Sequence, residues 1–295
     1  MKHTPPITLL LLLLFLSAQF IGIFILTKYI DIEKSQETGQ TEFRELPVGE
    51  RPPLQEETSF LPLMMAILIG TALLLLLIKY KLSWIWRGWF LIAIVVTLMI
   101  AFAAFVNTLI AFVLALSLAV WKVFKPNFWV HNFTELFIYA GLAVIFVPLF
   151  SLLSIVILLI LIALYDAYAV WKSKHMVTLA KSQVQEKAFA GLLIPYEVKG
   201  AESSLKVEQR EKVPLPQKAR TAILGGGDIG FPLLFAGVVL KEFGLWQSLV
   251  IPLFAAGGLA FLLWRSEEKK FYPAMPFIGA GCLIGLGLVF IIGQI

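Results

Sequence analysis

The sequence predicts an all-α, polytopic membrane protein with nine transmembrane helices, the N-terminus cytoplasmic and the C-terminus outside. Three observations predict it. Of the 295 residues, 59% are hydrophobic and only 15% charged, with a mean hydropathy of +0.88, too little polar surface to coat a soluble domain of this length. Long apolar runs recur from end to end, each near the ~20 residues that span a bilayer core. Once nine spans are counted, all but five of the 24 Lys and Arg (Lys28, Lys34, Arg44, Arg51 and Lys241) fall on one side, the inner one.

The first span covers 7–29. Its charged start has the look of a signal peptide, but the apolar stretch from Ile7 to Leu26 exceeds the ~7–15 residues of a signal core, so it is read as retained. The second covers 60–78, the third 84–105 and the fourth 107–121. An unbroken helix from 84 to 121 is too long for one crossing at ~1.5 Å per residue, so a tight turn is expected at Asn107-Thr108. The fifth and sixth, 134–150 and 151–171, meet at a turn from Pro148 to Ser151. Segments 221–240, 245–264 and 272–294 complete the set.

Two polar stretches interrupt the pattern. Segment 31–59 is acidic, lies outside and reads as a solvated linker, with substrate guidance as a minor alternative. Segment 172–219 lies inside, and its apolar piece AFAGLLIPYEV at 188–198 would rest on the membrane surface or cover a site. The chain thus divides into a six-span half (1–171), a cytoplasmic loop (172–219) and a three-span half (220–295).

Several function classes fall away. The net charge of +5 comes from short connections that orient the chain, which speaks against nucleic acid as a partner. Cys282 is alone, so there is neither a disulfide framework nor a thiolate zinc site, and His3, His131 and His175 sit far apart at segment edges. No metal and no cofactor are expected. HExxH and GxSxG are absent. The sequon Asn132-Phe133-Thr134 falls on the inner side and is read as chance.

Within the spans, away from their ends, two acids occur: Asp166 in LIALYDAYAV and Asp228 in GGGDIGFP. Glu135 and Glu242 fall at predicted ends, where they would reach water. An aspartate at mid-membrane costs about 2.5–3.5 kcal/mol on insertion scales, so each needs a reason. Counted along helices, Asp166 lies about 9 Å and Asp228 about 12 Å from the inner boundary, on consecutive antiparallel spans. Two carboxylates around one water repel each other and hold a single proton between them over a broad pH range. One then takes a proton from water as it attacks a peptide carbonyl, and the other protonates the carbonyl oxygen. Glycines 225–227 allow close approach before Asp228, and Pro232 lacks the N–H that would bond the carbonyl of residue 228. Segment FYPAMPF at 271–277 follows an inner loop. Pro273 there suits the first turn of a helix, or else leaves free backbone groups facing the aspartates.

These residues together resemble the presenilin and signal peptide peptidase family of intramembrane aspartyl proteases of the GxGD type, specifically its archaeal members. The family carries YD, GxGD and PAL motifs on its sixth, seventh and ninth spans. Here they read Tyr165-Asp166, Gly225-Gly226-Gly227-Asp228 and Pro273-Ala274-Met275, with Pro276 following and Met275 replacing leucine. HMVTLAKS at 175–182 is similar to the signal peptide peptidase branch. The resemblance covers essentially the whole chain. It implies an endopeptidase that cuts transmembrane substrate helices, signal peptides or single-span proteins, inside the bilayer of the plasma membrane. It assigns Asp166 and Asp228 to catalysis, with Tyr165, Gly225 and Gly227 supporting them and Pro273, Ala274 and Met275 shaping the substrate groove. Homo-oligomerisation and self-cleavage of the loop stay open. Two rival readings remain. One is a proton- or cation-conducting transporter or leak channel using the same aspartates. The other is a scaffold whose aspartates pair helices, which requires a buried basic partner that no predicted span supplies.

Overall fold

In a computed structural model, residues 5–125, 127–172, 189–197, 219–267 and 272–293 are described. The apolar runs form helices α1 (Pro5–Tyr29), α3 (Phe60–Lys79), α4 (Ser83–Ala103), α5 (Thr108–Phe124), α6 (Phe128–Phe146) and α7 (Leu152–Trp171), with a short α2 (Ile32–Thr38) between the first two. After a two-stranded hairpin, β1 (Gly191–Glu197) and β2 (Ala219–Gly225), come α8 (Gly226–Phe243), α9 (Leu245–Arg265) and α10 (Met275–Gly293). Among the described residues, seven helices are long and apolar enough to cross a membrane, and α5 is a shorter apolar helix.

Turns fall where helix length demanded them. Asn107 caps α5, its side chain accepting from the Ile110 N–H at 2.9 Å, and Ser151 caps α7 after a 3₁₀ turn at Val147–Leu149. α1 runs through the main core, packing on α6, α8 and α9 with Phe15, Ala18 and Leu26 fully buried. α4 and α5 build a second, smaller core around Ile94, Leu98, Ala111 and Ala115. α9 and α10 cross closely because each offers a glycine to the other's backbone: a methyl at Gly258 would strike the Phe277 carbonyl, and one at Gly281 the Phe254 carbonyl.

The architecture departs from the sequence expectation at three places. The seventh span does not begin at 221, and the described chain is not all-α. Residues 219–225 are extended and pair antiparallel with 191–197, from Gly191 opposite Gly225 to Glu197 opposite Ala219, so AFAGLLIPYEV contributes a strand. Gly225, with φ −65° and ψ 150°, is the extended N-cap where strand becomes helix. The fifth span starts at Phe128 rather than 134, since the Asn127 side chain caps it by accepting from the Trp129 N–H at 2.9 Å. Segment 31–59 is exposed over most of its length, as a solvated linker would be, but part of it packs on the bundle. Phe43, Leu46 and Leu54 contact the core, Thr41 donates to the Lys241 carbonyl at 2.7 Å, and Glu56 pairs with Lys241. Polar backbone that leaves a span must find partners, and the ends of α6, α7 and α8 supply them here.

Candidate active site

Asp166 stands in the last turns of α7 and Asp228 in the first turn of α8, and the two helices pack together with α10 against both. Because 219–225 is extended, the depth counted for Asp228 along a helix does not apply. The carboxylate instead hangs from a helix that begins at Gly226.

Each carboxylate is held by the start of a helix. Asp166, only 5% exposed, accepts the Met275 N–H at 3.0 Å. Pro273 and Ala274 are non-helical and buried, and Met275 opens α10, so Asp166 caps that helix from another element. The PAM triplet thus meets the YD aspartate through its backbone. Asp228 occupies the third helical position of α8, the position of the acid in a capping box, with its carboxylate lying back against the N-cap Gly225. Tyr165 is half-buried beside Asp166. Pro232 lies inside α8 and deprives the Asp228 carbonyl of its helical donor.

Of the three glycines, Gly226 is the most confined. A methyl there would lie 2.7 Å from the Tyr139 hydroxyl and 3.3 Å from the Ala190 carbonyl oxygen, whereas one at Gly227 meets nothing closer than Phe231 at 3.5 Å. Gly225 would touch the Asp228 carboxylate itself, at 3.2 Å. Close approach is therefore needed most at the middle position, Gly226, to a lesser degree at Gly225, and not at Gly227, which the motif had singled out with Gly225.

The polar residues around the pair escaped the sequence motifs. Gln19 of α1 is fully buried and donates to the Ile229 carbonyl at 2.8 Å, one residue past Asp228. Glu135 does not reach water. It is 1% exposed and accepts from Lys122, from the Tyr139 hydroxyl and from the Gly191 N–H. Lys122, placed in a loop by the span count, lies in the last turn of α5 with 2% exposure, so a buried basic residue does exist. It is bonded to Glu135, which leaves the scaffold reading without its partner for the aspartates. His131 and Asn132 are buried in α6 and bond β1. A Lys, Glu and Tyr at the same end of adjoining spans were the available signal. His3 and segment 175–182, with His175, lie outside the described residues.

Fold and site together define a polytopic helical membrane protein in which two adjacent helices each carry a carboxylate and both pack on the helix whose start holds one of them. Residues 21–295 match the family described as signal-peptide peptidase, presenilin aspartyl protease. The chain belongs to this family and is a hydrolase, an intramembrane aspartyl protease. Two solved structures share its fold, each of a presenilin family intramembrane aspartate protease. The one in space group C222 has TM-score 0.61 and 19% identity, covering 94% of each chain. The one in P2 has TM-score 0.61 and 18% identity, covering 96% of each. Among curated proteins, none matches the sequence.

Proposed function

We propose that the chain hydrolyses peptide bonds of transmembrane substrate helices, signal peptides or single-span proteins, with Asp166 and Asp228 activating one water between them. The observation that carries this reading is the packing of the two aspartate-bearing helices, α7 and α8, against each other and against α10, whose Met275 N–H holds Asp166. The carboxylate form of one aspartate removes a proton from water as its oxygen bonds the scissile carbonyl carbon. The protonated partner gives its proton to the carbonyl oxygen, forming a gem-diol. Collapse returns a proton to the departing nitrogen and breaks the C–N bond. Tyr165, Gly225 and Gly227 support the pair, and Pro273, Ala274 and Met275 line the groove.

A helical peptide bond is shielded, so the substrate is cut in an extended form. The outer edge of β1 is occupied, since Gly191 and Leu193 bond α6 side chains. Antiparallel alternation then turns the backbone groups of Ile223 in β2, opposite Leu193, away from β1, and Ile223 is 43% exposed. A substrate strand added to β2 runs toward Asp228, because β2 leads directly into the GGGD turn. In the same reading the chain crosses the plasma membrane nine times, N-terminus in the cytoplasm and C-terminus outside, with loop 172–219 joining a six-span half (1–171) to a three-span half (220–295).

The test is the purified protein in liposomes with a single-span substrate. Cleavage is expected to vanish in Asp166→Asn and in Asp228→Asn while both variants stay folded. Undiminished cleavage in either would refute the mechanism. Ion flux dependent on the aspartates, without cleavage, would revive the transporter reading, which the family assignment does not support.

A further inference from the structure

A buried polar cluster that the proposed chemistry does not use stands beside the aspartates. Its centre is Glu135 of α6. One carboxylate oxygen, Oε1, accepts from Lys122 of α5. The other, Oε2, accepts from two donors at once: the Tyr139 hydroxyl one helical turn on, and the Gly191 N–H at the start of β1, 2.9 Å away. One turn earlier on the same face, His131 Nε2 bonds the Gly191 carbonyl at 2.8 Å, and the Asn132 amide bonds both the N–H and the carbonyl of Leu193, at 3.0 and 2.8 Å. From the far side, the Gly226 N–H donates to the Ala190 carbonyl at 3.1 Å, and the Tyr139 hydroxyl fills the space a side chain at 226 would take. One oxygen of Glu135 therefore joins the strand that forms one wall of the site to the turn that carries an aspartate.

We infer that Glu135, through its Oε2, is a positioning residue that fixes the register of the β1–β2 hairpin against the Asp228 turn, and so sets which substrate bond meets the water. A strand that slips by one residue turns every side chain to the other face, so register decides the cut. Lys122 acts differently. It neutralises Glu135, so that a buried acceptor with this many donors is not also an uncompensated charge. A purely packing role would need neither the shared oxygen nor the four bonds that α6 side chains make to the backbone of β1.

This inference rests on the protease reading, which cleavage by the parent and its loss in Asp228→Asn test first. The inference is tested by two charge-neutral double variants. Lys122→Met with Glu135→Gln keeps an acceptor oxygen for Tyr139 and Gly191. Lys122→Met with Glu135→Leu fills the same space without one. We expect the Gln form to cleave at the parental bond. We expect the Leu form to lose about tenfold in kcat with KM little changed, within the net scale of the two hydrogen bonds lost at Oε2, and to cut at several bonds, read by mass spectrometry of the products. Single-site cleavage at equal rates in both doubles overturns the inference, and so does equal failure of both, which would place the effect in the ion pair. Should the Leu form not fold, Tyr139→Phe removes one of the two donors alone. A spread of cut sites there supports the inference, and an unchanged cut pattern and rate overturn it.

Discussion

Gly226→Ala is the smallest change that tests how the GGGD turn is built. The added methyl would lie 2.7 Å from the Tyr139 hydroxyl, 3.2 Å from its Cε1 and 3.3 Å from the Ala190 carbonyl oxygen. Carbon does not settle that near an oxygen, so something must move. Tyr139 cannot swing aside cheaply, since it is 4% exposed and bonded to Glu135. The strand cannot retreat without losing the bond from the Gly226 N–H to Ala190. Overpacking of this kind costs about 1–3 kcal/mol, which is expected as a lower melting temperature in detergent and slower cleavage. Tyr139→Phe removes the nearest atom, so the same methyl should cost about 1 kcal/mol less in that background. The assay is a double-mutant cycle on thermal unfolding, repeated on cleavage rate. If the two changes simply add, to within about 0.5 kcal/mol, the contact is not what confines Gly226 and the steric explanation is refuted.

Other expectations concern regions away from the aspartates. Gly258→Ala sets a methyl against the Phe277 carbonyl and should push α9 and α10 apart, costing about 1–3 kcal/mol in unfolding experiments; an unchanged melting temperature would show the crossing to be looser. Lys241→Met removes the pair with Glu56 and the bond to the Phe150 carbonyl at 3.2 Å, at the end of α8 opposite Asp228. It should cost about 1–2 kcal/mol of stability and leave the cut position unchanged, as product mass would show.

What could be read from the sequence is what depends on length and on solvent. Apolar runs near bilayer length gave helices at nearly the expected residues, and Asn107 and Ser151 were found as breaks because no single crossing accommodates the flanking runs. Asp166 and Asp228 stood out because an acid in such a run is costly. The hairpin was hidden, since LLIPYE and TAILG are as apolar as a span and their partners lie some thirty residues apart in sequence. Glu135 and Lys122 were hidden for a related reason. Near a helix end an acid or a lysine usually reaches water, and only the backbone of β1, folded over α6, makes these two interior. The acidic segment 31–59 looked solvated by composition, yet Thr41, Arg51 and Glu56 bind carbonyls and a lysine at the ends of other helices.

The way each carboxylate is held leads to a last prediction. Lys122, the buried basic residue next to the site, is committed to Glu135, and Asp166 is held instead by the Met275 N–H at the start of α10, while Asp228 sits in the first turn of α8. A lysine partner would lock a carboxylate as an ion pair and remove it as a base. A helix start favours a carboxylate by only about 0.3–2 kcal/mol, enough to orient it without fixing its charge. In the proposed mechanism Asp166 serves both capping and chemistry, and the two roles separate on substitution. Asparagine keeps the accepting oxygen and caps helices well, whereas alanine removes it, at about 1 kcal/mol. Asp166→Asn should therefore be inactive and near parental stability, while Asp166→Ala should be inactive and about 1 kcal/mol less stable, with α10 fraying at Met275. Hydrogen exchange at the first turn of α10 reads the difference directly. Equal protection in the two variants would mean that Asp166 does not cap α10, and the link between the YD and PAM residues would then have to be sought elsewhere.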